Sequence, residues 1–202
     1  MFWDRVAGVY DLFANFYNAG THRVLCQEVA SLVSSEDEVL ECACGTGLLT
    51  RHIASACKHI VTTDFSGKML ERARHKCRDY GNASFEHADI LHLDYPDESF
   101  DKVVAANVIH LLDEPLKALS ELDRVCRKGG RIIIPTYMNC EKREGKTSGF
   151  AAAVGKAGAD FKRQFTFSSY QQFFSEAGYK DASFKMIEGR VPCAIAVLSK
   201  KG

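Results

Sequence analysis

Long apolar runs, an excess of one charge and metal-binding cysteine motifs are features that this sequence lacks. No apolar run in the 202-residue chain reaches the roughly 18 to 20 residues of a membrane-spanning helix. The N-terminus also lacks a signal peptide's basic start and apolar stretch, so we expect a cytoplasmic protein with no membrane span. The 26 Lys and Arg residues balance the 26 Asp and Glu residues, which does not favour nucleic acid or an anionic membrane as a partner.

The eight cysteines show no spacing that indicates a metal site or a disulfide framework. Cys42 and Cys44 stand one residue apart, but no CxxC or HxxxH pair supplies the further ligands that a tetrahedral metal needs. A chain of this length needs no disulfides to fold, so we expect reduced thiols and no metal. We interpret Cys42 and Cys44 as strand residues that point to one face and act as small buried apolar side chains.

The order of apolar segments indicates one α/β domain over residues 1–202. Short strand-like segments alternate with amphipathic helical segments, as in βαβ units of a parallel sheet. The predicted strands cover residues 38–44, 59–64, 84–89, 100–107 and 130–137, and the helices between them cover residues 47–57, 66–81 and 113–130. A helix at 167–178 and two strands that turn at Glu188-Gly189 follow, and a short turn joins only antiparallel strands. We therefore predict a three-layer, mostly parallel seven-stranded sheet with an antiparallel C-terminal hairpin.

Local signals predict where these helices begin and end. Ser66 is the expected N-cap of the helix at 66–81, and Gly81 is its expected stop. Gly129-Gly130 should end the next helix, and Ser168 or Ser169 should cap the helix at 167–178.

Two segments fall outside the alternating pattern. Residues 1–35 are predicted to form an N-terminal helical cap that packs onto the domain. Residues 138–166 are rich in Gly, Ala and Lys with little apolar periodicity, and we expect them to form an excursion that covers a substrate.

The first predicted strand runs directly into a Gly-Thr-Gly turn and a helix. Gly45 and Gly47 allow the backbone to approach a ligand closely at the carboxyl edge of the sheet. A dinucleotide-binding GxGxxG motif needs a third glycine at position 50, where this chain has Thr50. Thr50 and the terminal hairpin disfavour a nicotinamide-dependent oxidoreductase, which stays an alternative.

The segment Glu41-Cys42-Ala43-Cys44-Gly45-Thr46-Gly47 resembles the loop of class I S-adenosylmethionine-dependent methyltransferases, which reads acidic-x-Gly-x-Gly-x-Gly. Ala43 replaces the first glycine and is restricted at positive φ. The resemblance extends over roughly residues 39–200 and is closest to the small-molecule branch related to quinone-biosynthesis methyltransferases. It implies a Rossmann-like fold, S-adenosyl-L-methionine as cofactor, S-adenosyl-L-homocysteine as product and a small-molecule acceptor.

The same resemblance implies roles for acidic residues at successive strand ends. S-adenosylmethionine carries an ammonium group and two ribose hydroxyls, and carboxylates are suitable acceptors for both. Glu41 is the implied partner of the amino group, Asp64 of the ribose hydroxyls and Asp89 of the adenine amine. The full implied cofactor set is Tyr10, Glu41, Ala43, Gly45, Thr46, Gly47, Asp64, Phe65, Met69, Asp89, Ile90, Asn107 and Val108.

Two of the candidate residues have a structural interpretation beside the functional one. His110 is a candidate catalytic base or substrate contact, but a lone histidine near a strand end also occurs as a packed, hydrogen-bonded residue. Tyr10 either closes over the cofactor or edges an apolar helical stripe. A non-catalytic S-adenosylmethionine-binding regulator is a second alternative function. The acceptor atom, the need for a base and the oligomeric state leave no signature in the sequence.

Overall fold

The computed structural model describes residues 18–139 and 162–200, which form a sheet with helices on both faces. The strands are β1 (Glu38–Cys42), β2 (His59–Asp64), β3 (Ala83–His87), β4 (Phe100–Ala105), β5 (Cys126–Tyr137), β6 (Ser183–Ile187) and β7 (Cys193–Ser199). The helices in these ranges are α1 (Ala19–Ser31), α2 (Thr50–Ala54), α3 (Gly67–Lys76), α4 (Pro115–Val125) and α5 (Phe167–Glu176). No helix within the described ranges is long and apolar enough to cross a membrane.

The seven strands form one sheet in the order β3-β2-β1-β4-β5-β7-β6. The first five strands pair in parallel, and β7 pairs antiparallel with both β5 and β6. This confirms the predicted mostly parallel sheet and its antiparallel C-terminal hairpin. β2 lies on one side of β1 and β4 on the other, so the chain changes direction across the sheet at β1. Ligands bind such α/β sheets in the crevice at the carboxyl ends of the strands beside this point.

Side chains that alternate along the strands divide the core into two layers. Val39 packs into a cluster with Leu25 of α1 and Ile53 of α2, on one face of the sheet. Its neighbour Leu40 packs into a second cluster with Leu122 of α4, on the other face. Full burial of each such side chain contributes about 1.5 to 3 kcal/mol. The two clusters account for the three-layer architecture and fix the strand register.

The ends of α3 and α4 differ in part from the sequence prediction. Ser66 caps α3 as predicted, because its hydroxyl accepts the N–H of Met69 at 3.2 Å. α3 ends at Lys76, well before Gly81. The prediction that Gly129-Gly130 ends α4 is wrong, since the backbone becomes extended at Cys126 and both glycines lie within β5. A Cβ on Gly130 would lie 2.7 Å from the carbonyl oxygen of Asp101, so a close approach between strands requires glycine there.

The start of α5 also differs from the prediction. Thr166 is the N-cap, and its hydroxyl accepts the N–H of Ser169 at 3.2 Å. Ser169 returns the interaction by accepting the N–H of Thr166 at 3.0 Å. The prediction of Ser168 or Ser169 as the cap is therefore wrong by two or three residues, because Ser169 serves as the third helical residue of a capping box.

The N-terminal helix α1 is fixed to the turn between β6 and β7. The Asn18 side chain donates to the carbonyl of Val191 at 3.0 Å and accepts its N–H at 3.1 Å. Thr21 donates to the same Asn18 side chain at 2.9 Å. Thr21 also lies so close to Gly189 that a Cβ there would stand 2.0 Å from its hydroxyl.

Parts of the two unusual segments lie outside the described residues. α1 falls within the predicted helical cap at 1–35, whereas residues 1–17 are not described. Most of the predicted excursion at 138–166 is outside as well. The single-domain organisation and the covering role of the excursion stay predictions.

Candidate cofactor site

A cavity of about 290 Å³ opens at the carboxyl ends of β1, β2 and β4. Its size is close to the lower end of the range for small-molecule sites, about 300 to 1,000 Å³. Its wall consists of His22, Leu25, Glu41, Ala43, Cys44, Gly45, Leu48, Leu49, Asp64, Phe65, Met69, Ala88, Asp89, Ile90, Ala106, Asn107, Val108, Leu111 and Leu112. A few polar groups therefore converge on a mainly apolar cavity, which is typical of a ligand site.

The loop after β1 turns sharply through three residues with positive φ. Ala43, Gly45 and Gly47 have φ values of 55°, 58° and 78°. The positive φ of Ala43 costs about 1 to 2 kcal/mol, because its Cβ crowds the following carbonyl. Gly45 lines the cavity, and a Cβ added to it would meet no atom within 4 Å. The loop therefore exposes its backbone to the cavity at Gly45.

Glu41 is a buried carboxyl group near the end of β1, with only 1% of its surface exposed. Its Oε2 accepts the hydroxyl of Thr50 at 2.6 Å. Burial raises the pKa of Glu41 to about 8, the Thr50 hydrogen bond lowers it and the nearby Asp64 raises it further. Glu41 is therefore mainly protonated at pH 7 unless a cation lies beside it.

Asp64 ends β2, and backbone groups hold its carboxylate in place. Its Oδ2 accepts the N–H of Gly45 at 2.8 Å, and its Oδ1 accepts the N–H of Ser66 at 2.8 Å. An ionised carboxylate acts only as a hydrogen-bond acceptor, and both oxygens of Asp64 are used in that way here. The arrangement links the loop after β1 to the loop after β2 and fixes the plane of the carboxylate.

Asp89 and Asn107 line the cavity from the segments that follow β3 and β4. Asp89 Oδ1 accepts the N–H of Leu91 at 2.9 Å, which closes a local turn. Asn107 has a φ of 53°, a conformation that asparagine tolerates better than most residues. The backbone N–H of Asn107 donates to the carbonyl oxygen of Pro135 at 2.8 Å, and its side-chain Oδ1 accepts the backbone N–H of Tyr137 at 3.0 Å. Both partners lie in β5, which therefore fixes the position of Asn107.

Apolar side chains form the wall between these polar groups. Phe65 follows Asp64 directly and is 51% exposed, which is unusual for a large apolar residue in this protein. Met69 and Ile90 are almost fully buried, with exposures of 3% and 7%. The predicted residue Val108 also lines the cavity. These side chains offer apolar surface to a flat ring.

Three of the predicted site residues, Thr46, Gly47 and His110, do not line the cavity. Thr46 is 1% exposed and accepts the ammonium group of Lys76 at 3.0 Å. Gly47 serves close packing, since a Cβ there would lie 3.1 Å from Ala73 of α3. His110 is 5% exposed and does not line the cavity, and burial lowers its pKa to about 4. Tyr10 lies outside the described residues.

The two closely spaced cysteines point into different parts of the core. Cys42 packs in the same cluster as Leu40, whereas Cys44 packs with Leu70 and Ala73 of α3. The predicted common face is wrong, because β1 ends at Cys42 and the positive φ of Ala43 redirects the chain. Both thiols are free and buried, which confirms their role as apolar side chains. Within residues 18–139 and 162–200, no three His, Cys, Asp or Glu residues are grouped to hold a metal.

Sequence reasoning missed His22, which lines the cavity from α1. Its imidazole Nε2 lies 3.6 Å from the thiol of Cys26, one helical turn later. His22 stands three and four residues before the buried Leu25 and Cys26, so helical periodicity alone places it on the core side of α1. Nothing in the sequence shows that this side of α1 meets the loop after β1.

Comparisons with known proteins agree with this geometry. A family model described as "Methyltransferase domain" matches residues 40–134. Phosphatidylethanolamine N-methyltransferase of Cereibacter sphaeroides is 36% identical over 153 residues, which cover 74% of this chain and 71% of that protein. Demethylmenaquinone methyltransferase of Clavibacter sepedonicus is 35% identical over 135 residues, which cover 65% of this chain and 55% of that protein.

The fold also matches solved methyltransferase structures. The N-methyltransferase NodS of Bradyrhizobium japonicum, solved with S-adenosyl-L-homocysteine, superimposes with a TM-score of 0.67 at 18% identity. The match covers 91% of this chain and 89% of that one. The chain therefore belongs to the class I S-adenosylmethionine-dependent methyltransferases, enzymes that take their methyl group from S-adenosylmethionine, and it resembles the quinone-biosynthesis members among them.

Proposed function

We propose that the cavity binds S-adenosylmethionine through three carboxyl groups at neighbouring strand ends. In this proposal Glu41 accepts from the ammonium group, Asp64 from both ribose hydroxyls and Asp89 from the adenine amine. The observation that carries the proposal is the convergence of these three side chains on one cavity beside Gly45. β1, β2 and β3 are adjacent in the sheet, so the three groups follow one another along its edge.

The donor and acceptor chemistry of the wall fits this cofactor. No cationic side chain within residues 18–139 and 162–200 pairs with Glu41, and burial raises its pKa to about 8, so an ammonium group beside it would favour the ionised form. Asp64 lines the cavity at the end of β2, and a carboxylate there is a suitable acceptor for two neighbouring hydroxyls. Phe65, Met69 and Ile90 supply apolar surface for the adenine ring. Asn107 and Val108 line the remaining wall near the methionine end of the proposed ligand.

The same wall disfavours a dinucleotide. Among the described residues that line the cavity, neither lysine nor arginine is present to neutralise a pyrophosphate. Asp64 and Asp89 would add negative charge beside such a ligand. The acidic lining therefore favours the cofactor of the family over a nicotinamide cofactor.

The cofactor supplies an electrophilic methyl group on a positively charged sulfur, and the protein's part is to position it. Carboxylates around the nucleoside hold it in one orientation, which makes an in-line approach of the acceptor more frequent. The mainly apolar wall limits the access of water to that path. His110 does not line the cavity and is buried, so the proposed mechanism does not use it as a base.

We also propose that the small-molecule acceptor has an apolar part. Leu25, Leu48, Leu49, Leu111 and Leu112 form a largely apolar portion of the wall. The two relatives are named for a phospholipid and a quinone precursor. Both names denote acceptors with large apolar parts, which is the chemistry that leucine side chains favour.

Calorimetric titration with S-adenosylhomocysteine tests the proposed binding mode. Asp64→Asn should weaken binding about 10- to 150-fold, because a charged hydrogen-bond acceptor contributes about 1.5 to 3 kcal/mol. Asp79→Asn is the matched control, since that side chain is 84% exposed and outside the cavity wall. Equal affinity of Asp64→Asn and the control would remove Asp64 from the site.

Transfer of label from methyl-labelled S-adenosylmethionine tests the acceptor class. Bacterial extracts divided into organic-soluble and aqueous fractions serve as acceptor mixtures, and the organic-soluble fraction should take up the label. Labelling of the aqueous fraction alone would contradict an apolar acceptor. Cofactor binding with no labelled product in either fraction would favour the non-catalytic regulator.

We further propose a cytoplasmic location. Its support is the chemistry of the thiols, because the seven cysteines in the described ranges are all free and buried. Free thiols of this kind are characteristic of reducing compartments.

A further inference from the structure

The cavity wall contains several acidic side chains but a single basic one among the described residues. Glu41, Asp64 and Asp89 contribute carboxyl groups, and His22 contributes an imidazole. The proposed ligand carries a carboxylate beside its ammonium group, and a buried carboxylate is costly without a hydrogen-bond donor or a positive charge. The side chain that holds the ammonium group cannot serve the carboxylate, because an ionised Glu is only an acceptor.

His22 lies at the Glu41 end of the cavity. Its helix α1 packs against α2. Thr50, the first residue of α2, donates its hydroxyl to Glu41 at 2.6 Å, so α1 meets the segment that contacts Glu41. Leu25 and Leu49, which pack in one cluster, bring α1 against the segment that follows the Gly-Thr-Gly turn.

The position of His22 on α1 is fixed from outside the cavity. The backbone N–H of His22 donates to the carbonyl oxygen of Asn18 at 2.9 Å in the first turn of the helix. Asn18 is itself bound to Val191, and Thr21 packs against Gly189. The imidazole is therefore carried on a helix that two contacts hold to the β6–β7 turn.

We infer that an N–H group of His22 binds the α-carboxylate of the methionine moiety and so positions the methyl donor. The inference rests on the proposed cofactor site and extends it with a residue that the loop motif does not contain. Glu41 and His22 together would hold both ends of the zwitterionic amino acid group. His22 is thus a positioning residue: it would hold the methionine carboxylate and would not contact the reacting methyl group.

A pair of ligands that differ only in the carboxylate tests this inference. S-adenosylhomocysteine has the carboxylate, and S-adenosyl-3-thiopropylamine keeps the ammonium group, ribose and adenine without it. In calorimetric titrations, His22→Leu should weaken S-adenosylhomocysteine about 10-fold or more, as expected for a hydrogen bond to a charged group. It should change the affinity for the decarboxylated ligand less than about 2-fold, within the additivity error for an interaction that is absent.

His52→Leu is the control, because His52 lies in α2 outside the cavity wall and its substitution should affect neither ligand. If His22→Leu does not fold by circular dichroism, His22→Met, which also lacks an N–H donor, is titrated with the same two ligands and should show the same selective loss. Equal loss for both ligands would indicate a merely structural role and overturn the inference, as would no loss for either ligand. Failure of the native protein to bind S-adenosylhomocysteine would instead refute the proposed cofactor site itself.

Discussion

Replacement of Glu41 by glutamine tests the electrostatics of the site in the absence of any ligand. Glu41 is buried, and its pKa rises from 4.5 in the unfolded chain to about 8 in the folded protein. The folded state therefore holds a proton that the unfolded state releases between these two pH values. The free energy of unfolding must fall as pH rises through this window, because the unfolded state then binds fewer protons than the folded state.

The size of this effect follows from the pKa change. The rise to about 8 corresponds to about 5 kcal/mol between the limits below pH 4.5 and well above pH 8. Between pH 5 and pH 8 we expect the native protein to lose about 3 to 4 kcal/mol relative to Glu41→Gln. Glutamine keeps an oxygen that accepts the Thr50 hydroxyl and does not titrate.

Urea denaturation of both proteins at a series of pH values measures the difference. The two stabilities should diverge as pH rises, with Glu41→Gln the more stable protein at pH 8. The buried His110 provides an internal check, because its pKa falls from 6.5 to about 4 and its contribution is lost as pH falls through that range. The loss of stability that His110 causes as pH falls should be the same in both proteins. Parallel stability curves between pH 5 and pH 8 would refute a raised pKa for Glu41.

Two further predictions concern backbone positions. Ala43→Gly should raise the free energy of unfolding by up to about 1 kcal/mol, because relief of the positive φ outweighs the conformational entropy that glycine adds to the unfolded chain. Ala54→Gly, in a helix, is the control and should lower the free energy of unfolding by about the same amount. A lower stability of Ala43→Gly in thermal denaturation would contradict a strained backbone at Ala43. Gly189→Ala should cost about 1 to 3 kcal/mol in urea denaturation, because its Cβ would stand 2.0 Å from the Thr21 hydroxyl, and Gly81→Ala, which meets no atom within 4 Å, is its control. Equal stability of these two variants would show that α1 is not held at this turn.

Periodicity was enough to predict the sheet, and the resemblance carried by the loop after β1 implied ten of the nineteen residues that line the cavity. Asp64 and Asp89 end up close together because parallel strands bring their carboxyl ends to one edge, so position along the chain predicts position in space. Ser66 was predictable for a similar reason, since an N-cap depends on its own hydroxyl and the next three residues.

The features that the sequence did not reveal depend on contacts between distant segments. His22 reaches the cavity because Asn18 binds Val191, 173 residues later, and no local pattern encodes that contact. Gly130 resembles a helix stop in sequence, but it serves the approach to Asp101 of the neighbouring strand. Cys44 leaves the face of Cys42 because Ala43 adopts a conformation that alanine seldom takes.

A crystal structure of the protein with S-adenosylhomocysteine is the most direct test of the central claim. We expect both ribose hydroxyls within about 3 Å of the Asp64 carboxylate, with the amino group at Glu41 and the adenine amine at Asp89. Electron density for the ligand outside this cavity, or inside it with the three carboxyl groups turned away, would contradict the account.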